Sequence, residues 1–409
     1  MKARSNRRWA WLVLAGAVLV GGWPSGTCVN AATARTPATT APRWPRGLPS
    51  DEQYFPIAVW LQSPSRAAQY RAAGVNLYVG LWKGPTAAQL AELAAAGMPV
   101  ICDQNVYALG HLDSPTIVGW MHGDEPDNAQ EIPGGKGYGP PILPDVIVRD
   151  YRRIRTADPS RPVLLNLGQG VAWDGYIGRG VRRNHPEDYP GYVGGCDIAS
   201  FDIYPAVHDA PEIAGRLEFV ARGVERLVGW AGVERQVWSC IECTRIGNPN
   251  RKATPTEVRS EVWMALIRGA QGLIYFVHQF KPEFREAALL DDPEMLSAVT
   301  AINHEIRDLA PILNQPTVTN GVQATSSRQD APIAVLEKRR GGETHLFAVS
   351  LGRQPTRATF RWPSTEAGAG GGQDVDIAVV GEDRRLRAET GGFADDFTAY
   401  AVHHYLVPR

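Results

Sequence analysis

The chain reads as an α/β protein, a (β/α)8 TIM barrel followed by a small C-terminal antiparallel β domain. Apolar strand-like runs alternate with helix-like ones from Phe55 onward, the signature of a parallel sheet. Eight such runs fit the roughly 250 residues typical of the barrel. After about Leu313 the helices stop and short strands follow one another. An open doubly wound sheet is the alternative, but no glycine-rich phosphate loop follows the first strand.

Lys2, Arg4, Arg7 and Arg8 precede an apolar segment from Trp9 to Val20, the layout of a secretory signal. That segment is too short and too interrupted by glycine for a membrane span. Val29-Asn30-Ala31 offers a cleavage site, so residues 1–31 read as signal and 32–53 as a flexible lead-in rich in Ala, Thr and Pro. The expectation is a secreted or periplasmic protein with no stable membrane association after cleavage.

Within a barrel spanning residues 54–313, strands are expected at Phe55–Gln62, Val75–Trp82, Met98–Asn105, Thr116–Gly123, Arg161–Gly168, Asp197–Tyr204, Arg235–Glu242 and Gly272–Phe280. Helices are expected at Ser65–Ala73, Ala87–Ala96, Asp145–Ala157, Pro211–Trp230, Pro255–Gly269 and Pro293–Leu309. Between strands three and four, Leu109 to Pro115 is too short for a normal helix. Residues 314–409 form the β domain, a sandwich-like unit with strands at Ile333–Lys338, His345–Leu351, Ala358–Trp362, Val375–Val380 and Tyr400–Leu406, broken by the glycine-rich stretch Ala367–Gly372.

Period-two alternation sorts the faces. On strand six Ser200, Asp202 and Tyr204 share the inward face, and on strand two Trp82 falls inward at the rim. Glu125, after Trp120-Met121-His122-Gly123-Asp124, and Glu242, after Gln236 to Ile241, each end a strand-like run. Barrel enzymes keep their chemistry at such ends. The two glutamates lie 117 residues apart. Three βα units of about 30 to 40 residues span that distance, which assigns the pair to strands four and seven. Paired carboxylates there suit glycosidic bond cleavage.

These residues resemble the clan of (β/α)8-barrel retaining glycoside hydrolases with catalytic glutamates ending strands four and seven, the cellulase-like and β-galactosidase-like families. Glu125-Pro126 matches the clan's Asn-Glu-Pro motif, with Asp124 in place of the asparagine. An ionised aspartate can only accept a hydrogen bond, so the contact to the sugar 2-hydroxyl should differ. The resemblance implies Glu125 as general acid/base, Glu242 as nucleophile with Tyr204 as its partner, and β-linked oligo- or polysaccharide as substrate. The clan's tryptophan ending strand eight is missing, and Phe276, His278 and Gln279 occupy that neighbourhood. The segment Phe393–Phe397 with Tyr400–His403 resembles the closing strand of β domains appended to such barrels.

Substrate contacts are expected from Trp60, Trp82 and Trp173 as stacking platforms, from Asp103, Asp124 and Asp202 as hydroxyl acceptors, and from Tyr204 and His278. Each has a plainer reading as core packing or rim charge. The loop Val171–Gly195 carries arginines that could meet an acidic sugar, and the insertion Asn128–Pro144 could cap the site. No cofactor is expected, and no metal-ligand spacing is present. A net charge of −1 gives no reason to expect a nucleic acid partner. Cys240 and Cys243 lie too far apart on one extended run for a disulfide, and Cys102, Cys196, Cys240 and Cys243 read as buried free thiols. The competing functions are a carbohydrate-binding barrel without turnover and a transglycosylase using the same glutamates.

Overall fold

Eight short parallel strands close on themselves: β1 (Ile57–Trp60), β2 (Leu77–Val79), β3 (Val100–Asp103), β4 (Ile117–Asp124), β5 (Val163–Leu167), β6 (Ile198–Phe201), β7 (Gln236–Glu242) and β8 (Leu273–Phe276), with β8 pairing back onto β1. The chain is described by a computed structural model over residues 43–362, 375–389 and 391–408. The expected signal and the glycine-rich 367–372 lie outside those residues.

Around the barrel run α1 (Ala67–Ala72), α2 (Ala87–Ala95), α3 (Val106–Leu109), α4 (Pro144–Ala157), α5 (Tyr189–Val193), α6 (Glu218–Ala231), α7 (Pro255–Ile267) and α8 (Pro293–Leu313). Local chemistry sets several starts. Thr86 with Gln89, and Thr254 with Glu257, form capping boxes that satisfy the first free amides of α2 and α7. Asp292 caps α8 through the Met295 amide. Nearly every side chain of α7 from Val258 to Ile267 is buried, because this helix lies between the barrel and the β domain.

The unit between β3 and β4 has only the single turn α3, and a buried cation closes the gap. Arg161 donates to the carbonyls of Leu112, Ser114 and Ile117 and pairs with Asp158 at 2.8 Å, while its guanidinium lies 5.6 Å from the Trp120 ring centre. The lead-in expected to be flexible to residue 53 is packed where it is described. Trp44 and Leu48 are buried against the barrel, and Arg46 bonds the Leu112 carbonyl, so packed chain is found as much as ten residues before Tyr54.

Among the described residues the β domain holds eight strands where sequence suggested five. β10 (Ile333–Arg340), β11 (Glu343–Ser350), β16 (Val402–Pro408), β13 (Val375–Val379) and β14 (Arg384–Ala388) form one sheet, and β15 (Gly392–Phe397), β12 (Thr356–Arg361) and β9 (Gln323–Ser326) the other. Of the three further strands, β9 and β14 are polar and half exposed, so no apolar run marks them, and β15 covers the Phe393–Phe397 segment noted in the sequence but not counted as a strand. Strand β11 is buried on both faces: Leu346 and Ala348 join the sandwich core, whereas Phe347 and Val349 join the barrel's. Trp263 of α7 stacks on Phe347 at 5.0 Å, and Ser260 donates to the Tyr400 carbonyl.

Replacing Arg161 with Met is expected to cost about 3–5 kcal/mol, since it leaves Asp158 charged, buried and unpaired. A urea midpoint equal to that of the parent would show that the carbonyls and Asp158 find other donors.

Candidate active site

The end of β5 positions the acidic residues on either side of it. Asn166 accepts the Glu125 amide at 3.0 Å through its carbonyl oxygen, and the Leu167 carbonyl accepts the Asp202 amide, also at 3.0 Å. Glu125 immediately follows β4, and Asp202 immediately follows β6. The Asn166 side chain completes the frame. Its amide nitrogen donates to Asp124 Oδ1 at 3.0 Å, and its Oδ1 accepts from Ser200 and from the Cys240 thiol.

A register shift between Met121 and Gly123 re-aims the end of β4. His122 bonds the Ile147 carbonyl of α4, whereas Asp124 pairs in register with Asn166 and meets its side chain. Glu125 then takes a left-handed backbone, φ 45°. Such a conformation in a non-glycine residue persists only where surrounding bonds impose it, and it marks a candidate functional position. The restraint is visible downstream: Asp127 is fully buried, accepts from the Gly168 amide and the Tyr189 hydroxyl at 2.9 Å each, and its carbonyl accepts from Arg179. Gly168 leaves room that a side chain would fill, because a Cβ there would lie 2.9 Å from Glu125 Oε1 and 2.7 Å from Asn128.

Glu125 and Asp202 are in hydrogen-bonding contact, side chain to side chain. Burial and the nearby charges of Asp202, Asp124 and Asp127 push the Glu125 carboxyl well above its usual range. Asp202 is raised by burial and by the charge of Asp124, with opposing hydrogen bonds from Glu125 and Tyr204. Both carboxyls are thus held protonated more firmly than free ones, Asp202 up to about 8, and Glu125 is the one whose proton the contact with Asp202 retains. Burial raises the phenol of Tyr176, from the loop after β5, and the nearby carboxyls of Glu125 and Asp202 raise it further. Its ring lies 5.8 Å from Trp173, and Trp173 meets His208 edge-on at 5.8 Å.

Glu242 is placed elsewhere. Although it ends β7 as expected, its carboxylate is fully buried and accepts from the amides of Ala206 at 2.6 Å and Val207 at 3.0 Å. The carboxyl in hydrogen-bonding contact with it is that of Glu261 on α7. Alternation would set Glu242 on the face of Cys240, which reaches Asn166; instead the amides presented by the β6–α6 connection hold its carboxylate. Tyr204 correspondingly partners Asp202 rather than Glu242.

Among the other expected contacts, Trp60 is buried in the core, whereas Trp82, after β2, is 51% exposed with Lys83 beside its ring. Asp103 ends β3 exposed to solvent. His278 is buried, accepts from Gln62 at 3.2 Å, and burial lowers its pKa to about 4, so it is neutral. It sits within an aromatic run from Tyr204 through Phe276 to Phe280 and Phe284. Two arginines expected to be open to an acidic sugar are already engaged: Arg179 and Arg182 both bind Asp188. The four cysteines are free and buried. Among the described residues, no group of three or more His, Cys, Asp or Glu could hold a metal ion. No helix among them is long and apolar enough to cross a membrane.

No protein-family model matches the chain, and no curated protein matches it. Solved structures do share the fold. Alpha-galactosidase I from Mortierella vinacea aligns with a TM-score of 0.55 at 9% identity, covering 88% of this chain and 98% of that one. AmyP in complex with maltotriose gives 0.52 at 8%, covering 88% and 98%. An Anoxybacillus alpha-amylase gives 0.51 at 10%, covering 88% and 99%. At these identities the likeness is one of fold.

The Glu242–Glu261 pair has a pH consequence. Burial raises Glu242 from about 4.5 to about 8, and Glu261 is raised as well. A raised carboxyl contributes fully below its unfolded value and loses that contribution as pH rises through the folded one. Glu261→Gln supplies a permanent N–H to Glu242. Its melting temperature relative to the parent should therefore improve steadily between pH 5 and pH 9 (about the interval bounded by the two values). A difference independent of pH would mean that the pair does not share a proton.

Proposed function

We propose that the protein is a secreted glycoside hydrolase in which Glu125 is the proton donor and Asp202, not Glu242, is the second carboxylate of the site. The observation that carries this reading is the contact between Glu125 and Asp202 at the C-terminal mouth of a closed barrel. A carboxyl held protonated beside an ionised partner is what departure of a sugar alcohol needs. Glu125 gives its proton to the glycosidic oxygen as the bond breaks, and the negative charge on Asp202 faces the positive charge developing at the anomeric centre. After proton transfer Glu125 is the base for the incoming water.

The carbohydrate substrate is supported by the half-buried ring of Trp173 and by the exposed Trp82, flat apolar faces at the barrel's open end. Structures with the same fold bear the names of an alpha-galactosidase and of AmyP with maltotriose, which agrees with this class of reaction. Secretion rests on the signal-like N-terminus. The β-linkage rests on the resemblance of Glu125-Pro126 to the clan motif, so the assay must carry both anomers.

The test is reducing-sugar release from α- and β-linked oligosaccharides by the parent, Glu125→Gln and Glu242→Gln. Glu125→Gln is expected to lower kcat by about 10²–10⁴ with an unchanged melting temperature. Glu242→Gln, which forfeits an acceptor for a buried amide, should cost about 1–3 kcal/mol of stability while the folded enzyme keeps its kcat. Loss of turnover in Glu242→Gln at full stability, with Glu125→Gln active, would return the nucleophile to β7. Gly168→Ala should displace Glu125 and lower kcat by about 10²-fold, the usual result of a misplacement near 1 Å, with little change in KM. Parent-like kcat in that variant would separate the glycine from the placement of the acid.

A further inference from the structure

We propose that the turn between β8 and α8 is a binding arm for a sugar unit beyond the cleaved bond, with the exposed ring of Phe284 as its stacking platform. The proposal takes its ligand class, a carbohydrate, from the hydrolase reading above. It makes an oligosaccharide, and not a single glycoside, the preferred substrate.

The first reason is where the aromatic surface lies. Among the described residues the exposed rings of Phe, Tyr and Trp are those of Trp82, Tyr138 and Phe284, and each belongs to a connection that leaves the C-terminal end of a barrel strand. Single apolar side chains are ordinary on any surface, but exposed rings gathered at the mouth that carries Glu125 and Asp202 mark that end for contact with a ligand. Phe284 is the most open of the three, at 64%.

The second reason is continuity with the acids. Tyr204 bonds Asp202, and its ring lies 5.1 Å from that of Phe276. Phe276 is 6.2 Å from Phe280, and Phe280 is 5.8 Å from Phe284. Burial falls along the way: Tyr204 is buried, Phe276 and Phe280 are partly buried, and Phe284 is exposed. The rings therefore form a strip that leads from the carboxyls out to solvent.

The third reason is that the strip's outer end is held in place. Gln279 and Arg285 exchange both backbone bonds, at 2.9 and 2.8 Å, and the Phe280 amide donates to the Ile246 carbonyl of the β7–α7 connection at 2.6 Å. Gln62 ties the two sides of the turn together. Its side-chain nitrogen donates to His278 at 3.2 Å and to the Glu286 carbonyl at 2.9 Å, while its oxygen accepts from Tyr70 at 2.7 Å. A ring on so fixed a turn binds with little ordering cost.

The surroundings select the ligand. Lys281, Glu283 and Arg285 are exposed beside Phe284, and Arg285 pairs with Glu283. A sugar presents a C–H face to a ring and hydroxyls to such charges, whereas an acyl chain laid there would desolvate them without replacing their hydrogen bonds.

The experiment measures kcat/KM for α- and β-linked oligosaccharides of increasing length with the parent, Phe284→Ala and Phe284→Trp. Calorimetry adds the binding of the same sugars to Glu125→Gln, with and without Phe284→Ala. The parent is expected to favour long substrates over the shortest. Phe284→Ala should shrink that advantage about tenfold, through KM and not kcat, and weaken binding in the Glu125→Gln background to the same extent. Phe284→Trp, which retains a platform, should retain the advantage. An equal advantage in Phe284→Ala and the parent, with cleavage lost in Glu125→Gln, would overturn the platform and leave the hydrolase reading standing. Sedimentation showing that Phe284→Ala dissolves a dimer of the parent while sugar binding is unchanged would also overturn it, since the ring would then serve contact between copies. Phe284-dependent binding without cleavage of any sugar would keep the platform and sink the hydrolase reading. Failure of every sugar to bind would overturn both.

Discussion

The last three residues of the β5 segment, Asn166, Leu167 and Gly168, fix the relation between the acids. Two consecutive carbonyls hold the amides of Glu125 and Asp202, the Asn166 side chain links Asp124, Ser200 and Cys240 from three other strands, and the absent side chain of Gly168 gives Glu125 its space. In a parallel barrel, adjacent strands present their ends side by side, so a central strand can register its neighbours without a loop intervening. The left-handed Glu125, costly by itself, is retained because these bonds and the buried Asp127 leave it no alternative.

The architecture was legible because its signals are periodic. Eight apolar runs separated by helical patterns give the barrel, and the inward set Ser200, Asp202 and Tyr204 of strand six contains Ser200 bonded to Asn166 and Asp202 bonded to Glu125. Glu125 was legible as a strand-end glutamate followed by proline. Asn166 carries no such mark, since a single polar residue within Val163–Leu167 looks like a lapse in an apolar run and becomes informative only when its partners from other strands are known. Asp127 was visible only as part of the strand-four motif.

Glu242 shows where alternation stops being a guide. The rule holds while the ladder holds, as at Cys240, which reaches Asn166 inside the barrel. At the final residue of a strand the neighbouring loop decides, and here the amides of Ala206 and Val207 offer two donors to a carboxylate. The β4 bulge acts in the opposite sense, bringing Asp124 to a side that alternation from Trp120 and His122 would have denied it. Tyr176 and His208 went unassigned because they lie in irregular loops, where periodicity has nothing to say.

Strand β11 closes two cores with alternate side chains, Leu346 and Ala348 on one side and Phe347 and Val349 on the other. Neither layer owns it. Withdrawing β11 would strip Trp263 of its stacking partner and open the sandwich in the same motion. The barrel and the appended sheets therefore share one strand's burial, and neither core is complete without the other.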